Sequence, residues 1–354
     1  MIRKDLVNKL SKVKPCLGSD GFVPILTHFC FDKKRIVAGN GTQSIAVAFE
    51  SDLNCAVPGD LLYKLLSSFK DKSVKITEKT GKVNKVHIKT AGSSSHLGTL
   101  PADDFVIPEW DKDECDTIKV DAEFIKGIQQ CFFSCSINPL LENQYGITLI
   151  ISEKGSMMYA TDGQRISSYD MPGFKGKAKS IFLPRVFCEL IVGLGETEGT
   201  LCIGKNYILL DFGTAQVYSQ LPADLEFIDF DEVIKSYYNG ETLYDAPPAL
   251  SDAVNRNLIL TSSDTDHMIN IVTDGKNIEL TSQSGHGIVR DEVEFPEDFD
   301  LLNFTMDGIY LKDALSAVDT MSFVPVAAGV LFVGKKDNFL HLFSALAKSA
   351  SEDD

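Results

Sequence analysis

The side chains best suited to chemistry are six histidines, His28, His87, His96, His267, His286 and His341, and eight cysteines. A histidine acts as a general base or metal ligand only with partners at a suitable spacing. None of the six lies in an HExxH pair, and neither a GxSxG nucleophile turn nor a P-loop occurs. Asp264, Thr265, Asp266 and His267 form a polar cluster, but no further ligand stands at a recognised spacing, so it reads as a polar loop. Cys131 and Cys135 make a CxxxC pair without the second pair a zinc site needs. The cysteines (Cys16, Cys30, Cys55, Cys115, Cys131, Cys135, Cys188 and Cys202) sit mostly in apolar stretches such as FCF and VFCEL. They read as buried free thiols in a reducing compartment rather than as a disulfide framework. The expectation is a protein that is not an enzyme and needs no metal or cofactor. A metal requirement for any activity would reverse it.

What remains is binding. Basic residues fall on or near several segments with helical periodicity: Lys9, Lys12, Lys64 and Lys70 early in the chain, Lys126 and Arg185 in the middle, Arg256 and Lys312 late. A solvated helix face accounts for any one of them. Their collective placement is more informative, because the charge around them is so different. The 354 residues carry a net charge of −16. Residues 1–118 hold 17 Lys and Arg against 15 Asp and Glu, residues 119–239 hold 10 against 15, and residues 240–354 hold 7 against 20. An acidic surface repels phosphate, which argues against simple tight binding of nucleic acid. A less acidic surface built from the helices could still face DNA through phosphate contacts without reading sequence.

The elements that must position these residues repeat along the chain. LPADDF (Leu100–Phe105) returns as LPADLEF (Leu221–Phe227), and AVPGDLLYKLL (Ala56–Leu66) returns as FLPRVFCELIVGL (Phe182–Leu194). A fainter third copy includes YLKDAL from Tyr310. An apolar strand entering a tight polar turn also recurs, as VAGNGTQSIAV (Val37–Val47), MYATDGQRISS (Met158–Ser168) and IELTSQSGHGI (Ile278–Ile288). Asn-Gly and Asp-Gly between alternating apolar residues signal hairpins. Offsets of 118–126 residues fit a duplicated domain rather than a solenoid. The expected domains are 1–118, 119–240 and 241–354, the last with a short acidic tail, and linkers near DKDECDT and SYYNGETLYDAPP. Each copy reads as an early helix (Asp5–Val13, Asp121–Cys135, Leu250–Asn257) and a later one (Asp60–Phe69, Arg185–Gly193, Lys312–Val318), with strands and hairpins between. The class is α+β, two helices on a mainly antiparallel sheet per domain. No stretch reaches the 18 apolar residues of a membrane helix, and MIRKDLVNKL lacks a signal-peptide core, so the expected location is cytoplasmic without membrane association.

In order and spacing these motifs resemble the bacterial-type DNA polymerase III beta sliding clamp. VPIL (Val23–Leu26) matches the segment after the family's first helix, LPADDFVIPEW (Leu100–Trp110) its first-domain ending, ATDGQRIS (Ala160–Ser167) its ATDGHRLA, and FLPRVFCELIVGL its VPR-led second helix. The resemblance implies three clamp domains per chain and a head-to-tail homodimer closed into a ring. Helices line the hole, which encircles double-stranded DNA without reading sequence and tethers a polymerase for processive synthesis. A ring is retained by topology rather than affinity, so an acidic body with a mildly basic hole suits sliding. The basic residues named above become the DNA-facing set.

By resemblance, polymerase and clamp loader dock through short linear peptides in a pocket formed by Thr161, Gly163, Gln164, Arg165 and Ile166 with Leu340, Leu342, Phe343 and Leu346. A shallow apolar groove suits such peptides, whose few anchors carry most of the energy. The sequence departs from the family at Gln164 (His in the family), at Glu142 and Asn143 (Tyr-Tyr), at Asp20 (often Arg) and in its ending, LFSAL followed by AKSASEDD. Such divergence fits a phage-encoded clamp. The dimer interface joins domain one to domain three, with Leu97 on the first side and Ile259 and Leu260 on the second, where edge strands invite pairing. The rival reading is a clamp-like module that sequesters replication proteins by their peptides without encircling DNA.

Overall fold

The computed structural model describes residues 1–19, 23–106, 115–261, 267–295, 300–327 and 329–345. In chain order come α1 (Arg3–Val13), β1 (His28–Asp32), β2 (Arg35–Gly39), β3 (Gln43–Ala48), β4 (Asn54–Pro58), α2 (Gly59–Ser68), β5 (Lys75–Lys79), β6 (Lys85–Lys89), β7 (Ser94–Gly98) and β8 (Leu100–Pro101). There follow β9 (Asp116–Val120), α3 (Ala122–Cys131), β10 (Gly146–Ile151), β11 (Ser156–Thr161), β12 (Arg165–Met171), β13 (Lys179–Pro184), α4 (Arg185–Leu194), β14 (Gly199–Ile203), β15 (Tyr207–Asp211), β16 (Ala215–Gln220) and α5 (Phe230–Tyr237). The remainder is β17 (Tyr244–Asp245), α6 (Pro248–Leu260), β18 (Met268–Thr273), β19 (Asn277–Ser284), β20 (Gly287–Glu294), β21 (Leu302–Asp307), α7 (Gly308–Ala317), β22 (Thr320–Val326), β23 (Gly329–Lys336) and β24 (Phe339–Ser344). The fold is α+β, as the periodicity predicts.

Two compact units emerge, one of residues 1–126 with 183–225, the other of 127–182 with 226–354. In the first, a nine-stranded sheet runs β8-β4-β1-β2-β3-β16-β15-β14-β9, beside a three-stranded sheet β5-β6-β7. In the second, an eight-stranded sheet runs β13-β10-β11-β12-β24-β23-β22-β17, beside a four-stranded sheet β21-β18-β19-β20. The neighbouring strands pair antiparallel. One strand order, fourth-first-second-third, occurs three times, as β4-β1-β2-β3, β13-β10-β11-β12 and β21-β18-β19-β20. After each set comes a helix and then a three-stranded meander, β5-β6-β7, β14-β15-β16 or β22-β23-β24. The polar turn that recurs in the sequence falls between the second and third strands each time, in residues 40–42, 162–164 and 285–286.

The six expected helices form within a few residues of their expected ends. In α1 the residues Leu6, Leu10 and Val13, spaced for one helical face, are fully buried. That face packs on β2 and β3, and α2 and α4 also contact α1, so all three helices cover one face of the nine-stranded sheet. Burying each such leucine contributes about 2 kcal/mol. Helix α7 begins at Gly308, earlier than Lys312, because the Asp307 carboxylate accepts hydrogen bonds from the Ile309 and Tyr310 N–H groups and caps it. One expectation is corrected. SYYNGETLYDAPP is not only a linker, for it carries the end of α5 and strand β17.

All eight cysteines are free, and all but the half-buried Cys115 are buried. Burial pushes the Cys16 thiol up to about 12 and that of Cys30 to about 11, so both stay protonated. Among the described residues no helix is long and apolar enough to cross a membrane.

Candidate functional site

The ATDGQRI segment folds as the turn between β11 and β12. Asp162 holds it together: its Oδ1 accepts hydrogen bonds from the Gln164 and Arg165 N–H groups, both at 3.1 Å. The Thr161 hydroxyl donates to the Arg165 carbonyl (2.7 Å) and accepts from the Gly163 N–H (3.0 Å). Gly163 has φ +90°, a left-handed conformation that favours glycine.

Arg165 does not line a pocket. Its side chain is 10% exposed and its donors are consumed inside the unit: Nε to Asp162 (2.9 Å), NH1 to Asp313 (3.0 Å) and NH2 to the Phe133 carbonyl (2.6 Å). The guanidinium stands over the rings of Tyr310 (4.1 Å) and Phe133 (5.4 Å). Arg165 thus fastens the turn to α7, a role that planar, fork-shaped guanidinium chemistry suits.

Beside the turn lies a groove of about 530 Å³, mostly apolar. Thr161, Gly163, Gln164 and Ile166 form one wall, and the described part of the C-terminal strand contributes Leu342 and Phe343. The structure therefore brings together six of the nine residues expected there. Leu340 instead packs with Ile234, Tyr238 and Leu243 in a neighbouring cluster. Leu346 lies outside the described residues, as do Asp20, Trp110 and Asp264 to Asp266.

The other half of the groove was not foreseen. Phe230, Val233 and Tyr237 project from α5, with Ile228 just ahead of it, and Val326, Val330 and Leu331 come from β22 and β23. Helix α5 has two readable signals. Asp229 accepts a hydrogen bond from the Glu232 N–H at its start, and apolar residues recur at helical spacing. Its placement is fixed by Tyr159, whose ring stacks on Phe230 and whose hydroxyl donates to Asp231. Behind the groove a buried relay runs from Ser134 to Ser167 (2.7 Å) and from Ser167 to His341 Nδ1 (2.9 Å). Burial holds His341 down at about 3, with the Arg165 charge assisting.

The basic residues divide by their surroundings. Lys64, Lys70, Lys126 and Lys312 are exposed, and Arg185 is half-buried at the start of α4. Lys9 donates to the Ala48 carbonyl (2.6 Å) and Lys12 to the Leu194 carbonyl (2.7 Å), the negative end of the α4 dipole. Arg256 is paired with Asp291 at 2.6 Å. Lys9, Lys12, Lys64 and Arg185 share the helix-covered face of the nine-stranded sheet. Leu97 lies on β7, the edge of its three-stranded sheet. Ile259 and Leu260 end α6 rather than lying on a strand, and Ile259 is 74% exposed. Among the described residues no group of three or more His, Cys, Asp or Glu side chains could hold a metal ion.

No protein-family model matches the sequence, and no curated protein matches it significantly. Solved structures match its fold along nearly the whole chain. The beta sliding clamp of C. crescentus has a TM-score of 0.82 at 22% identity, over 98% of each chain. The DNA polymerase III beta subunit of Thermotoga maritima has 0.80 at 18%, over 99% of each. The DnaN sliding clamp of Pseudomonas aeruginosa, solved bound to griselimycin, has 0.79 at 18%, over 98% of each. The chain has the fold of the bacterial DNA polymerase III beta sliding clamp.

Proposed function

We propose that this chain is a DNA sliding clamp, a polymerase processivity factor that works as a closed ring around duplex DNA and not as an enzyme. The observation that carries the reading is the fold match over almost all of both chains. The division into three domains at 118 and 240 is supported by the thrice-repeated strand order.

Head-to-tail dimerisation follows from the sheet edges. The third strand of the first set, β3, pairs with the last strand of a meander, β16, and likewise β12 pairs with β24. That leaves β20, the third strand of the last set, and β7, the last strand of the first meander, as sheet edges. Pairing β7 of one copy with β20 of another repeats the same junction and closes a six-domain ring. The sheet of β7 carries Lys75, Lys79, Lys85 and Lys89, while β20 carries Asp291, Glu292 and Glu294, so the edges are complementary in charge. Leu97 on β7, exposed Ile288 on β20, and Ile259 and Leu260 on α6, which packs against β20, form its apolar part.

Within the ring the DNA-facing set is led by Lys64, Lys70, Lys126, Arg185 and Lys312. Lys9 and Lys12 combine that role with their internal bonds, and Arg256 contributes least because Asp291 offsets its charge. The groove takes short linear peptides of the polymerase and clamp loader. Sedimentation at micromolar concentration tests the assembly: a dimer is expected, and a persistent monomer contradicts it.

A further inference from the structure

The groove is apolar except at one point on its wall. Gln144 ends a loop whose backbone closes on itself. Its N–H donates to the Leu141 carbonyl and its carbonyl accepts from the Ser136 N–H, both at 2.9 Å. The side chain lies over the turn, with Oε1 3.4 Å from where a Cβ on Gly163 would stand. That oxygen is buried, and no described residue donates to it. None of the residues lining the groove is charged, so the partial negative charge of Oε1 is unopposed there. An acceptor held unpaired in an apolar site discriminates for ligands that donate to it.

We propose that Gln144 is a specificity-determining residue of the groove: its Oε1 accepts a hydrogen bond from a neutral donor side chain set beside the apolar anchors of an extended peptide. The complementarity is electrostatic, a carbonyl oxygen meeting an N–H or O–H where a bulkier apolar group would leave the oxygen unpaired. The proposal rests on the reading of the groove as a peptide site.

The test uses the full-length protein and a displayed library of random hexapeptides. The tightest binder is synthesised with a fluorescent label, and each of its donor residues is replaced by a near-isostere without the donor (Gln by Met, Thr by Val, Ser by Ala). One such replacement should weaken binding to the natural protein about five- to tenfold, and binding to Gln144→Met less than about twofold. Gln144→Glu keeps an acceptor, so it should retain the penalty and also favour a Lys at that peptide position. A purely apolar binder, or an equal penalty in the natural protein and Gln144→Met, overturns the proposal and leaves the groove reading standing. Binding that ignores Val233→Asp in the groove wall, or no binder at all, overturns the groove reading and the proposal with it.

Discussion

The ring of Tyr159 lies flat on that of Phe230, 4.8 Å between centroids and 3° from parallel, and its hydroxyl donates a 2.6 Å hydrogen bond to Asp231. One side chain thereby fixes both the floor and the first turn of the helix that forms half the groove. Burial raises the Tyr159 phenol above its usual range, so it remains a donor at any working pH. Tyr159→Phe keeps the stacking and removes the bond. A loss of about 1 kcal/mol in urea unfolding is expected, with a few-fold weaker capture of a polymerase peptide. Unchanged peptide affinity would mean that the placement of α5 does not depend on this contact.

Arg165 supports the opposite wall from behind. Arg165→Met preserves much of its length but strands Asp162, Asp313 and the Phe133 carbonyl. Removing one member of a buried charge network costs about 3 kcal/mol, read as a lower urea midpoint at constant slope. A cost below about 1 kcal/mol would place Arg165 with ordinary surface arginines.

His341 gives the second unit a pH dependence. Its folded value, about 3, lies below the value near 6.5 of an unfolded chain. Between the two the unfolded state binds the extra proton, so stability rises with pH. The contribution of the neutral ring is fully present above pH 6.5 and is lost as pH falls toward 3, at about 1.4 kcal/mol per unit. Urea unfolding at pH 5, 6 and 7.5 should show this slope, and His341→Asn should flatten it. Equal slopes would assign the effect to other groups.

The basic face can be tested without disturbing the fold. Charge reversal at Lys12 sets a carboxylate against the Leu194 carbonyl and weakens α1, so Lys64 and Lys70 are the better probes. Lys64→Glu with Lys70→Glu should lower the slope of log affinity for a duplex against log salt by about 1 to 2, with no change in thermal midpoint. An unchanged slope removes these two residues from the DNA-facing set.

Local signals in the sequence carried much of this architecture. Six helices are readable from apolar spacing, and the Asn-Gly and Asp-Gly turns stand where strands reverse. The groove is only half readable. Its turn is contiguous, but Val326, Val330 and Leu331 reach it through sheet pairing with β24, and Phe230 and Val233 ride on an eight-residue helix in a stretch that otherwise resembles a linker. The burial of Arg165 had no local signal, because Asp313 lies 148 residues away. The interface residues were placed by analogy with edge strands, which holds for Leu97 on β7, whereas Ile259 and Leu260 belong to a helix end.

Retention on DNA tests the account most directly. The chain, loaded onto a nicked circular duplex by a cognate loader, should remain bound through gel filtration in moderate salt and should be lost when the circle is cut once. Equal retention on circular and linear DNA, or none on either while polymerase peptides still bind, would contradict a ring held by topology and favour a module that only sequesters peptides.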